Sequence, residues 1–187
     1  YRAMPGLYAI EVLNEPRWDV PTPLLETYYR RGYDAIRAHC PDDRVAVVFH
    51  DGFRSHDEFA PLFRDSPLEN VIFDVHRYQC FAREDLDMDI HGHLHKAGVS
   101  WREEAAAIQS ELGVPAICGE WSLGLDLKPG RPDPFQEDVA LRAYAAAQLL
   151  AFEHYRGWFF WSYRTETTPA WCFRDCVARG WLPARFQ

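Results

Sequence analysis

No apolar run in this chain approaches the length of about 20 residues that a membrane-spanning helix needs, and the first residues lack the charged-then-apolar pattern of a signal peptide. Positive charge is also short: 20 Lys and Arg face 28 Asp and Glu, a formal net charge of -8. Such a surface repels nucleic acid and anionic membranes, so neither is an expected partner and a neutral substrate fits better. Paired CxxC spacings are missing. The five cysteines, Cys40, Cys80, Cys118, Cys172 and Cys176, are an odd count that indicates neither a disulfide framework nor a zinc ribbon. All five read as structural, with Cys118 a small buried hydrophobe in a strand and Cys172 and Cys176 spaced along one helix face. No sequence repeat, low-complexity tract or linker divides the 187 residues, which read as one domain, 1–187. The chain starts at Tyr1 rather than Met. An absent N-terminal portion is therefore expected, and the compartment is unknown.

What is present is an ordinary globular composition, 48% hydrophobic and 26% charged, with aromatics high at 15%. Such a surplus fills a core or builds platforms for flat apolar ligands such as sugar rings. Leu7, Ala9, Ile10, Val12 and Leu13 form a run expected to be a strand buried on both faces, stopped at Pro16. A helix is expected over Leu24–His39, closed by Cys40-Pro41-Asp42-Asp43, then a strand over Val45–Phe49 and a short helix over His56–Phe63. A third strand, Val71–Val75, precedes a polar region read as irregular and a helix over Trp101–Leu112 stopped by Gly113. The fourth strand, Pro115–Gly119, leads to a loop from Gly124 to Pro134, a helix from about Glu137 to Tyr155 and a fifth strand, Gly157–Trp161.

Strand and helix in alternation with short connections imply parallel pairing with right-handed crossovers. Polar and aromatic residues gather at the C-terminal ends of these strands: Asn14 and Glu15, His50 and Asp51, His76 and Tyr78, Glu120, and Trp161. That is the end at which α/β barrels carry their chemistry. Glu15 and Glu120 each terminate an apolar strand, and a lone glutamate there is usually solvated or caps a helix. As a pair they match glycoside hydrolysis, which needs a general acid/base and, about 5 Å away in retaining enzymes, a nucleophile.

The motifs IEVLNEP (Ile10–Pro16), HDGF (His50–Phe53), VHRYQCF (Val75–Phe81), GEWS (Gly119–Ser122) and GWFFWSYRTETTPAWCF (Gly157–Phe173) span nearly the whole chain. In this order they resemble the C-terminal part of a glycoside hydrolase family 5 barrel, and within that family the exo-β-1,3-glucanases of fungal type. The resemblance implies an α/β fold, a (β/α)8 TIM barrel of which only the last five βα units are present. It implies Glu15 as acid/base, with Asn14 beside it bonding the sugar 2-hydroxyl, and Glu120 as nucleophile. Tyr78 would donate its hydroxyl to that nucleophile, and His76 would lie near the acid/base and help set its proton affinity. Trp161 would form the floor under the sugar at the cleaved bond, and Phe81 one half of an aromatic clamp on the leaving-group side. Bland readings stand beside these: Trp161 with Trp158, Phe159 and Phe160 as core, His76 as a satisfied core histidine, Phe81 as loop packing.

His91 and His95 of the HGHLH run would share a helical face, but no cysteine or carboxylate at ligand spacing supports a metal there, and the family uses no catalytic metal. No metal or cofactor is expected. Glu103 and Glu104 read as a solvated helix face.

A full barrel has eight strands in roughly 250 residues, and the first three are missing, with the arginine that the family brings near its nucleophile. An open parallel sheet exposes edges that need cover. The expected partners are a β-glucan or β-glucoside and, for the sheet, the missing N-terminal segment or a second copy of the chain. The resemblance favours a secreted or cell-envelope setting. The alternatives are a non-catalytic carbohydrate-binding remnant, or a family 5 specificity for β-1,6-glucan or a glycolipid.

Overall fold

The computed structural model describes residues 4–40, 44–64, 68–125, 134–166 and 168–186. The chain forms two compact units, one of Tyr1–Val75 with Ala107–Ile117, the other of His76–Ala106 with Cys118–Gln187.

In the first unit, strand β1 (Ala9–Glu11) leads to helix α1 (Thr22–His39), strand β2 (Ala46–His50), a 3-10 turn (His56–Phe59), helix α2 (Ala60–Arg64) and the first part of strand β3 (Val71–Gln79). β1 runs parallel to β2, Ile10 opposite Val47, and β2 runs parallel to β3, Phe49 opposite Phe73. The Phe73 N–H donates to the carbonyl of Pro115 at 2.9 Å, bringing in strand β4 (Ala116–Leu125). Alternation sorts the side chains. Ala46, Val48 and Ile72 form a cluster with Ala9 and Ile117. Phe49 and Phe73 instead meet Tyr29, Phe59 and Phe63, with Tyr29 and Phe49 centroids 4.9 Å apart.

β1 corrects an expectation. It has three residues, each half-buried, not a run buried on both faces. Among the described residues β1 pairs with β2 alone, whereas β2 between two neighbours is buried at all five positions.

In the second unit, β3 continues to Gln79 and is followed by helices α3 (Arg83–Leu86) and α4 (Ile90–His95), a π-type turn (Lys96–Ser100) and helix α5 (Trp101–Leu112), whose last turns lie in the first unit. The stretch expected to be irregular is thus largely helical. Asp89 caps α4, accepting from the Gly92 N–H at 2.8 Å. β4 is followed by helix α6 (Pro134–Phe152), strand β5 (Trp158–Phe160) and helix α7 (Phe173–Ala178). Of the loop expected over Gly124–Pro134, residues 126–133 lie outside the described residues, as do 41–43 after α1. β5 runs parallel to β4, with Cys118 opposite Trp158 and Trp121 opposite Phe160. The strands follow sequence order, β1-β2-β3-β4-β5. Trp121 centres this unit's core: its fully buried ring meets Phe152, Trp158 and Phe160 edge-on at 5.1, 5.2 and 5.0 Å.

All five cysteines are free, and Cys40, Cys118, Cys172 and Cys176 are buried. No helix among the described residues is long and apolar enough to cross a membrane.

Candidate functional site

The first unit carries the Asn-Glu-Pro turn. Pro16 is buried, while Asn14 and Glu15 are exposed. Glu15 has φ 43, a left-handed backbone that an L-residue adopts at some cost and that commonly marks a functional position. The turn therefore anchors on the buried proline and leaves the glutamate exposed.

Beside it, β2 ends on a fully buried His50. A carboxylate oxygen of Glu15 and a ring nitrogen of His50 lie within 4.8 Å of each other. His50 Nδ1 accepts from the Gly52 N–H at 2.8 Å, so Nδ1 carries no proton and the other nitrogen does. Asp51 Oδ1, 3.4 Å from Nδ1, accepts instead from the Phe53 N–H at 2.8 Å, so that approach is not an ion pair. The His50 carbonyl accepts from the Tyr29 hydroxyl at 2.7 Å. Burial, then the charge of Asp51, pushes the Tyr29 hydroxyl far above its ordinary pKa and keeps it a donor. A buried tyrosine on α1 thus holds the His50 backbone, and a glycine amide in the turn after β2 holds its imidazole.

The second unit carries the other glutamate. Glu120 lies inside β4, not beyond it as the expected strand end at Gly119 implied, because β4 runs on to Leu125. The Tyr78 hydroxyl, from the end of β3, donates to Glu120 Oε2 at 2.8 Å, and His76 Nδ1 lies 3.7 Å from the same oxygen. His76 is buried and the Glu120 side chain is only 16% exposed. A carboxylate so placed has a donor fixed on one oxygen and limited access to water. The donor aims it and stabilises its charged form, against the opposing effect of limited hydration.

Aromatic surface adjoins this carboxylate. The Trp171 ring stacks on Tyr78, centroids 5.2 Å apart and planes at 25°, and Phe81 meets Tyr78 edge-on at 5.5 Å. Phe81 is 70% exposed and Trp161 54% exposed, so neither is core. Trp158 and Phe160 pack on Trp121, and Phe159 faces outward. The Trp161 N–H donates to the Trp121 carbonyl at 2.8 Å, which ties that side chain's base to the core of the unit.

Of the expected residues, Asn14 and Glu15 lie in the first unit and His76, Tyr78, Phe81, Glu120 and Trp161 in the second. Sequence reading missed His50 as a neighbour of Glu15 and Trp171 as a neighbour of Tyr78, although both stand inside quoted motifs. It also read Glu104 as merely solvated. Glu104 Oε1 lies 3.1 Å from Nη2 of the buried Arg77. Of the HGHLH run, His91 and His95 are exposed while His93 is buried, its Nδ1 2.8 Å from Gln79 Oε1. Burial lowers the His93 pKa below the usual imidazole range, so its part is that of a neutral packed ring.

The chain is similar to proteins of known kind. The chain is 26% identical to a glucan 1,3-beta-glucosidase of Blumeria graminis, over 94% of this chain and 48% of that protein. It is 28% identical to glucan 1,3-beta-glucosidase 2 of Wickerhamomyces anomalus, again over 94% and 48%, and 29% identical to the enzyme of that name from Lachancea kluyveri, over 93% and 46%. The chain thus spans about half the length of these relatives. Among solved structures, AoRut superposes with a TM-score of 0.69 at 19% identity, over 93% of this chain and 50% of that one. The rutinosidase from Aspergillus niger gives 0.67 at 16%, over 92% and 51%. These likenesses establish the fold: the five βα units are a partial (β/α)8 barrel. The family model of cellulase, glycosyl hydrolase family 5, matches residues 3–166, and with its five motifs in order the chain belongs to that family.

Proposed function

We propose that this chain carries the two carboxylates of a retaining glycoside hydrolase acting on β-glucosidic bonds, with an exo-acting β-1,3-glucan glucohydrolase as the specific reading. The carrying observation is the 2.8 Å bond from the Tyr78 hydroxyl to Glu120 Oε2. A nucleophilic carboxylate must be ionised and must present one oxygen to the anomeric carbon, and a phenol fixed on the other oxygen serves both needs. The names of the relatives, glucan 1,3-beta-glucosidases, support β-1,3-glucan as the substrate in this reading.

In this reading Glu120 attacks the anomeric carbon while Glu15 protonates the departing glycosidic oxygen. The glycosyl-Glu120 ester is then hydrolysed by a water that Glu15, now a carboxylate, deprotonates. His50, with its proton on Nε2, supports the orientation of Glu15, and Asn14 bonds the sugar 2-hydroxyl. His76 beside Glu120 contributes to the polarity of that site. Exposed Trp161 offers a flat floor for the sugar ring and exposed Phe81 an edge for the leaving group. The N-terminal βα units of the barrel, or a second copy of the chain, cover the edge of β1.

The test is hydrolysis of a chromogenic β-glucoside and of β-1,3-linked oligosaccharides by the wild type and by Glu120→Gln. The substitution keeps the shape of the side chain and removes its nucleophile, so turnover drops by at least about a thousandfold with folding retained. Undiminished turnover would overturn the assignment. Sugar affinity without wild-type turnover would instead mark a carbohydrate-binding remnant.

A further inference from the structure

We infer that Trp171 is a positioning residue for Glu120, acting through Tyr78, and that position 124 is glycine to admit its indole. This rests on the proposed role of Glu120 and extends it to a residue that touches neither carboxylate oxygen.

Three observations converge. First, Tyr78 is the donor to Glu120 Oε2, so any rotation of its ring moves the hydroxyl off the oxygen; hydrogen bonds weaken steeply with misalignment. Second, the Tyr78 ring is held on two sides by other rings. Trp171 stacks on it nearly parallel at 5.2 Å and 25°, and Phe81 meets it at 78°. Trp171 and Phe81 also meet each other at 6.1 Å, so the three rings form a closed triangle. Phe81 is 70% exposed and is a weak brace by itself, whereas Trp171 is half-buried.

Third, the backbone makes room for the indole. A Cβ placed on Gly124 would stand 2.5 Å from Trp171 Nε1 and 2.6 Å from Cε2, closer than any side chain tolerates. Gly124 lies four residues beyond Glu120 on β4, the spacing that returns to the same face of a strand. The strand that supplies the carboxylate therefore also supplies the floor on which the indole rests, and that floor is flat because it is glycine. The far side of Trp171 is fixed through its backbone, whose carbonyl accepts from the Ser162 N–H at 3.0 Å next to Trp161.

The test reads Glu120 directly and needs no turnover. In protein labelled with 13C at glutamate carboxyls, with the Glu120 signal assigned by its loss in Glu120→Gln, the titration midpoint of that carboxyl is followed in five proteins. These are the wild type, Tyr78→Phe, Trp171→Leu, the double variant and Trp171→Phe. Removing the phenol withdraws a donor from the charged form, so Tyr78→Phe raises the midpoint by about one pH unit. Trp171→Leu raises it in the same direction, the double variant matches Tyr78→Phe alone, and Trp171→Phe, which keeps an aromatic face, restores most of the wild-type value. Gly124→Ala, which displaces the indole from its other side, moves the midpoint as Trp171→Leu does and covers the case in which the leucine variant fails to fold. A midpoint unmoved by Trp171→Leu and Gly124→Ala while Tyr78→Phe shifts it overturns the inference and leaves the proposed function standing. A midpoint unmoved by Tyr78→Phe overturns the inference together with the role given to Tyr78.

Discussion

The backbone N–H of Gly52 donates to Nδ1 of the buried His50 at 2.8 Å, and this fixes the neutral tautomer of the imidazole that neighbours Glu15. The expected 15N spectrum at neutral pH has Nδ1 as the bare ring nitrogen and Nε2 as the protonated one. The converse assignment would contradict the geometry.

The same turn predicts a stability effect. Gly52 has φ +58, and a Cβ there would stand 2.1 Å from the Arg54 guanidinium. That guanidinium binds the carbonyls of Gly52, Arg17, Trp18 and Val20. Gly52→Ala therefore combines an unfavourable backbone with a displaced arginine and costs about 1–3 kcal/mol in urea unfolding. An unchanged midpoint would contradict this reading.

Arg77 and Glu104 make a partly buried ion pair at 3.1 Å in the second unit. Glu104 retains a third of its exposure, so solvent screens part of the interaction. Glu104→Gln is expected to lower stability by about 1 kcal/mol, well below the 3–5 kcal/mol of a fully buried pair broken on one side. Added salt should shrink the difference.

Cys176 predicts an alkaline weakness. Burial, with the neighbouring Cys172 and Asp175, pushes its thiol up to about 12 from an ordinary 9.0. The folded state keeps the proton that the unfolded state releases. Stability from this group is thus complete below pH 9 and is lost as pH rises from about 9 towards 12. Unfolding midpoints at pH 8 and pH 10.5 should fall further for the wild type than for Cys176→Ala, and equal falls would contradict the assignment.

The βα order was legible, and the two glutamates stood out as candidates, because each depends on local pattern: branched apolar runs, helical spacing, and polar residues near strand ends. Features set by tertiary contact were not. β1 reads as fully buried from composition, but its burial depends on having a neighbour on each side, and among the described residues it has one. Glu120 reads as beyond its strand because polar residues end apolar runs, yet pairing with β5 carries β4 past it, Trp121 opposite Phe160. The helices between Phe81 and Trp101 were hidden by charged residues and Gly92, and the Asp89 cap shows that this polarity belongs to a helix start. Trp171 stands far along the chain from Tyr78, so no periodicity joins them.

The most direct test of the central claim is trapping the glycosyl-enzyme. The chain is incubated with a 2-deoxy-2-fluoro-β-glucoside bearing an activated leaving group, digested, and its peptides are weighed. Slow turnover of such a substrate accumulates the covalent intermediate of a retaining enzyme. The expected result is one added fluoroglucosyl mass on the peptide containing Glu120, absent in Glu120→Gln. A label on any other residue, or hydrolysis of ordinary β-glucosides that persists in Glu120→Gln, would contradict the account.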